Sequence, residues 1–324
     1  MEQSATLSFA RAVLVAILAG LAAALLSGTL TPGSGGQYVM LFMAAPLPIM
    51  LAGLGWHPLS GALASLTGAL LVDLVVNDRA ALGFTGLVGA PAAGLAWLAS
   101  LLLIPGRTRI AQHEGLALGW LYTGAMFYLS LAIIGTAIVV EPDYAAFTTR
   151  LEAFVKEALE LMLGVKGGVL PPGFTFDDFT RMVDLVTMLL LPVSALVSLI
   201  SLVMSGALAL AIARKSGLLP FPKPDLRRMR LPGGAILVLL VSMLLATQEE
   251  FPGLFGLIVS LGLAFGFTLQ GLAVMHVRSM GMAGRIPLLA LGWSLLIVFG
   301  LPGVIFFALG LLDHLLDFRK NRLP

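Results

Sequence analysis

Between residues 12 and 72 no side chain carries a formal charge, and only TPGSGGQ (31–37) and GWHP (55–58) interrupt the apolar run. About 20 apolar residues cross the ~30 Å of bilayer hydrocarbon. The pattern along the whole chain predicts helices near 10–30, 38–55, 58–76, 80–104, 115–140, 183–213, 232–248 and 253–277. A last apolar run, 286–312, is broken by GLPG at 300–303. It is too long for one untilted span, and its halves are too short for two. The expectation is a tight or re-entrant hairpin whose backbone is buried in protein. The first run lacks a small-residue cleavage site and is read as a span rather than a removable signal.

One polar stretch, 141–184, separates the fifth and sixth runs. Within it Phe147, Leu151, Phe154, Ala158 and Met162 recur at helical spacing. This predicts an amphipathic helix on the membrane surface or over the mouth of the bundle. Gly167, Gly168, Pro171 and Pro172 should end it, and Thr175 with Asp178 fits a capping box that opens the next helix.

Composition agrees with the pattern. The chain is 59% hydrophobic and 11% charged, with a mean hydropathy of +1.01, whereas soluble domains hold about 25% charged residues. The expected fold is an all-α polytopic transmembrane bundle, about eight spans plus a C-terminal hairpin, in one integral membrane domain over 1–324. Most of the 19 basic residues lie at Arg11, in the linkers GRTRIAQHE, RKSGLLPFPKPDLRRMR and HVRSMGMAGR, and in the tail. The positive-inside rule then puts both termini and the basic loop 214–231 in the cytoplasm, and the segment 141–182 outside. Trp56, Trp97 and Trp120 fall near the cytoplasmic boundary. Membrane orientation accounts for the basic loop without nucleic acid, and attraction to anionic lipid is the next simplest reading.

Helices in lipid associate by close packing at small residues. The first helix offers Ala12, Ala16, Gly20, Ala24 and Gly28, every fourth residue. Gly86, Ala90 and Gly94 repeat the device in the fourth; Gly61, Ala64, Ser65 and Gly68 serve the third. Gly262 and Gly266 lie on one face with Gln270, so that the amide is carried toward whichever helix packs there. Such a bond holds helices together unless a cavity reaches it. His276, about 240° further round the helix, does not share that face.

Candidate chemistry is sparse. Ionisable groups inside a membrane are candidates for function. Asp73, with Arg79 near in sequence, lies toward the outer end of the third span, and Asp184 at the outer start of the sixth. Asp313 and Asp317 share a helix face beside Arg319 and Lys320, which points to ion pairing rather than metal binding. The four histidines are scattered, and there are no cysteines, no HExxH, no GxSxG and no Walker lysine loop. Neither an enzyme nor a cofactor is expected, and intrinsic ATP hydrolysis has no support. Tyr122, Thr123 and Tyr128 are the best polar and aromatic material inside the bundle. A solute pocket between helices, under the outer amphipathic helix, would draw on Gln270, Tyr128, Tyr122 and Asp73.

Three pieces, LPFPKPDLRRMRLP, LQGLAVMH and LLDHLLDFRK, together resemble the YybS-like family of bacterial multi-pass membrane proteins. The resemblance implies a cytoplasmic-membrane location and this architecture more than an activity. The family is in turn distantly similar to the S components of energy-coupling factor transporters, which dock on a membrane partner through a small-residue stripe in the first helix. Ala12, Ala16 and Gly20 would supply that stripe here. The expected function is small-solute binding or a transport-associated role without its own ATPase. The alternative is a scaffold or assembly factor of the cell envelope.

Overall fold

The computed structural model describes residues 2–27, 37–104, 106–165, 173–219, 224–299 and 302–320. Gly28, the break at 31–36, the stop residues Gly167, Gly168, Pro171 and Pro172, and Pro220, Pro222, Lys223, Gly300 and Arg322 lie outside the described residues. Among the described residues the regular structure is entirely helical. The helices are α1 (Glu2–Leu26), α2 (Gln37–Ala44), α3 (Pro46–Gly55), α4 (Pro58–Val75), α5 (Asp78–Phe84), α6 (Ala90–Leu102), α7 (Glu114–Val140), α8 (Tyr144–Leu163), α9 (Phe176–Lys215), α10 (Ala235–Leu245), α11 (Glu250–Arg278), α12 (Arg285–Phe299) and α13 (Pro302–Leu316). Five continuous helical segments among the described residues are long and apolar enough to cross a membrane: Pro58–Val75, Asp78–Leu102, Glu114–Val140, Phe176–Lys215 and Glu250–Arg278.

Two of the predicted spans are broken helices, each for a stated reason. Pro46 has no N–H, so the second span divides into α2 and α3 around Ala45. The Met43 carbonyl at that break accepts bonds from the Ser201 and Ser205 hydroxyls of α9, both at 3.0 Å. Side chains thus satisfy a backbone group that lipid could not. Between α5 and α6 the chain makes a π turn, Thr85–Gly89, in which the Ala90 N–H bonds the Thr85 carbonyl. Pro91 cannot donate to the carbonyl four residues before it, and the wider turn absorbs that loss.

The small-residue stripe of α1 is used within the chain. A Cβ at Gly20 would collide with the backbone of Ala64 and Gly68 in α4, and the Thr67 hydroxyl reaches the Ala16 carbonyl at 3.4 Å. Ala16 and Ala24 are fully buried. The expected stripe on α6 is corrected. Nothing lies within 4 Å of a Cβ built on Gly86 or Gly94, whereas Gly89 packs on Ser65. Gly89, Ala92, Ala96 and Ala99 are the buried face. The π turn rotates the helix beyond it, and a period counted through an irregular turn picks the wrong face.

Thr175 and Asp178 form the expected capping box at the start of α9, which runs unbroken past Pro192 for 40 residues. The boundary of the polar segment at 182 therefore falls inside α9. Thr175→Ala should lower thermal stability by about 1 kcal/mol, measurable as a shift in unfolding temperature in detergent. The amphipathic helix is α8, and part of the predicted stripe meets the bundle: Phe147 packs on Phe251 of α11 and Leu151 lines the cleft there, whereas the contact with α9 uses other residues. Val155, with Leu159 and Leu163 beside it, packs on Phe179 and Val183 of α9. Phe154 and Met162 instead stay exposed, the latter at 82%. Five residues at mixed spacing of three and four drift across a helix that turns every 3.6, so the stripe's members cannot all face one neighbour.

The last two helices have 15 residues each, about 23 Å at 1.5 Å per residue, and are shorter than a bilayer's hydrocarbon. They turn back beside α11. Gly271 and Gly310 meet at backbone distance, each facing a carbonyl of the other helix, Phe306 and Phe267 respectively.

Candidate functional site

The polar groups of the bundle gather at two ends, held by different parts of the sequence. The first is built on α11. Its glycine face packs on α7: a Cβ at Gly266 would sit 2.6 Å from the Tyr122 ring, and one at Gly262 2.6 Å from Met126. The Tyr122 hydroxyl donates to the Gly262 carbonyl. One turn further on, Gln270 is buried, and its amide joins three chain segments. Its Oε1 accepts the Leu231 N–H at 3.1 Å, and its Nε2 donates to Asp313 Oδ2 at 2.8 Å.

Asp313 faces Arg319, and both side chains are wholly buried. The guanidinium reaches the carboxylate at 2.7 Å through NH2 and 3.1 Å through Nε. It also donates to the carbonyls of Arg227 at 2.7 Å and Met229 at 2.9 Å. Arg319 lies six residues after Asp313 and beyond the end of α13, so the chain turns back there. Asp317, at φ +51°, makes that turn and pairs with Arg230. Every strong donor and acceptor of the buried pair thereby has a partner, which a buried ion pair requires.

The linker ahead of α10 is thus a strap rather than a free loop. The Arg230 N–H bonds the Gly115 carbonyl at 2.9 Å, and the Asp225 N–H bonds a Glu114 carboxylate oxygen. Gly115 and Gly119 of α7 lie directly under the carbonyls of Arg228 and Arg230, with no room for a Cβ. Asp225 also binds Arg227 through both its oxygens. That bond holds its carboxyl below the ordinary carboxylate range. The surface above the strap is a cleft of about 730 Å³ among His113, Glu114, Arg228, Arg230, Gln270, Asp313 and His314. Its basic groups are engaged: Arg230 with Asp317, and Arg228 with Glu114 at 3.8 Å.

The second end is acidic. There α8 lies across the mouth between α9 and α11 and covers a cleft of about 820 Å³. The rings of Tyr144 and Phe251 meet edge to face at 5.1 Å, and Phe147 lies 5.6 Å from Phe251. Burial raises the Tyr144 phenol pKa above its ordinary value. Asp143, Glu152, Asp184, Glu249 and Glu250 also line this cleft, and among the described residues no Lys, Arg or His does. Thr187 lines it as well; its hydroxyl oxygen is buried and has no hydrogen-bond partner. Glu250 opens α11 at φ +65°, a left-handed backbone that a non-glycine residue adopts only at a cost of about 1–3 kcal/mol.

The structure does not bring the four expected pocket residues together. Gln270 lines the cleft at the basic end, while Tyr122 lines an apolar hollow of about 140 Å³ between α3, α6, α7 and α9. Tyr128 is 39% exposed on the outer face of α7. Asp73 is exposed near the end of α4 and makes no ion pair with Arg79. His276 bonds the Leu272 carbonyl at 2.9 Å and stands edge-on to Trp293, apart from Gln270 as its spacing required. Among the described residues no three His, Asp or Glu side chains could hold a metal ion together. The pocket was expected beneath this amphipathic helix, but the residues that line it escaped sequence reasoning because its aromatic and acidic members come from three separate helices. Asp184 and the EE pair at 249–250 were the available signals. Set against family models, curated proteins and solved structures, the chain matches none.

Proposed function

We propose that this is a multi-pass protein of the bacterial cytoplasmic membrane that binds a small solute at its acidic, outward end and depends on a separate protein for any energy input. The observation that carries the reading is the cleft of about 820 Å³ beneath α8, within the range of small-molecule sites. Orientation follows from the basic linkers. Those around Glu114 and Arg230 meet at one end of the bundle, which the positive-inside rule assigns to the cytoplasm. Counting α1, the α2–α3 pair and α10, whose 11 residues with their flanks run from Leu231 at the basic end to Ala246 at the acidic end, with the five long segments gives about eight spans, beside the α12–α13 hairpin. Membership of the YybS-like family is supported by the meeting of the three resembling pieces, at Leu231, Gln270 and Asp313, in one buried network.

The test is purification from native membranes in mild detergent with mass spectrometry of everything retained. A stoichiometric small solute, or an ATPase with a membrane coupling subunit, is the expected result. Recovery of envelope or division proteins around an empty bundle would overturn it in favour of a scaffold. That second reading has one observation behind it. The face of α6 carrying Ala90 and Gly94 has open space over the glycine, as a helix awaiting a neighbour would. Docking through the α1 stripe has no such support, because α4 already occupies it.

A further inference from the structure

Resting on the solute-binding reading above, we propose that the cleft beneath α8 takes an organic ammonium ion, its positive head against the rings of Tyr144, Phe147 and Phe251. Three features of the same cleft converge on that chemistry. The first is the ring cluster, with centroids 5.1, 5.6 and 6.4 Å apart, half-buried at the base of α8 and the start of α11. Aromatic faces attract cations, quaternary ammonium groups above all, and the attraction grows as water is excluded. The second is the sign of the charge. Among the described residues all the charged lining groups are carboxylates. None of the lining carboxylates forms an ion pair among the described residues; Arg150 and Arg181 are engaged with Glu141 and Asp177, and Lys156 lines a separate cleft with Glu152 and Glu160. Five carboxylates face this mouth and Lys156 beside it offsets one of them, so an anionic solute meets net repulsion and a cation is drawn in.

The third feature is the buried hydroxyl of Thr187. A polar atom shut from water without a partner is rare enough to need a reason. Here it lies in the wall of a cleft whose remaining base is Leu191, Leu254 and Leu257. A hydroxyl or carbonyl carried by the ligand would complete it once the side chains now closed over that oxygen move aside. The preferred solute is therefore a small ammonium ion bearing one polar group, of a size that the cleft admits beneath α8.

The probe is choline, set against its uncharged carbon isostere 3,3-dimethylbutan-1-ol and the anion 3,3-dimethylbutanoate. Binding is measured by equilibrium dialysis of the full chain in a maltoside detergent, with hydrogen exchange of α8 as a second readout. Choline should bind at least tenfold tighter than the isostere and protect α8. Phe251→Leu, which keeps an apolar side chain and removes the ring, should weaken choline about tenfold. The pair Glu249→Gln and Glu250→Gln should weaken it further at low salt than at high salt. Phe251→Leu must retain its unfolding temperature; if it does not, Phe251→Tyr, which preserves the ring, should bind choline normally in a folded protein. Equal binding of the isostere or the anion overturns the cation assignment and leaves the solute-binding reading standing. So does failure of choline and of benzyltrimethylammonium alongside a neutral or anionic solute retained through purification. With no probe bound, no solute retained and no ATPase with a coupling subunit recovered, both fall.

Discussion

Asp313→Ala should destabilise the protein by about 3–5 kcal/mol, the cost of stranding a buried charge. The Arg319 guanidinium would keep its two carbonyl partners at Arg227 and Met229 and lose its counter-charge in a site with no exposure. The same change takes from Gln270 the carboxylate to which its amide donates. Detergent-solubilised yield and unfolding temperature would report the loss, with limited proteolysis of the strap ahead of α10 showing where it begins. Gln270→Leu should cost less, about 1–3 kcal/mol, because it strands one buried N–H, that of Leu231, while Asp313 Oδ2 keeps its bonds from Arg319. The double change Asp313→Leu with Arg319→Met should recover part of the single-mutant loss, since apolar residues of similar volume can replace a buried pair at little cost. An Asp313→Ala protein as stable as the parent would mean that the network does not hold the tail to the strap.

Gly271→Ala should be nearly as damaging, although it adds a single methyl. The new Cβ would collide with the Phe306 backbone carbonyl, and Gly310 stands in the same relation to Phe267. A flexible side chain could swing aside; a helix backbone cannot, so α13 must move off α11 as a body. Overpacking typically costs about 1–3 kcal/mol and sometimes more, and the upper end is expected here. Moving α13 also lifts Asp313 from Gln270, so the loss should exceed what the methyl alone explains. Gly94→Ala is the matched control, with nothing within 4 Å and an unchanged unfolding temperature expected. If both substitutions behave alike, the close crossing of α11 and α13 is not present in the folded protein.

The opposite outcomes expected at Gly271 and Gly94 show how far a sequence pattern reaches. Both are glycines in apolar runs, and the spaced small residues around Gly94 made the clearer pattern. Helical spacing reports which residues share a face; it does not report which neighbour that face meets. The α1 stripe was legible as a contact surface, yet nothing local could assign it to α4 rather than to another protein. Gln270 was legible as a bond between elements, because an amide one turn beyond Gly266 must find a partner in lipid. Its partners lie 39 and 43 residues away along the chain, beyond the reach of any local pattern. Arg319 shows the same limit from the other side: at a helix end it reads as a solvated or locally paired base, and only the strap carbonyls make it a buried one.

By itself the sequence determined that the chain is a helical membrane protein, where its long apolar helices run, the cap at Thr175 and the absence of catalytic motifs. These follow from residues adjacent along the chain or a few turns apart, where hydropathy and helical geometry act directly. The tertiary structure alone decided which small-residue faces meet, that the basic linker is a strap closed by the tail, and that α8 covers a cleft lined by rings and carboxylates. Those outcomes depend on long-range packing, which sums weak contacts over many residues and leaves no mark in any short stretch.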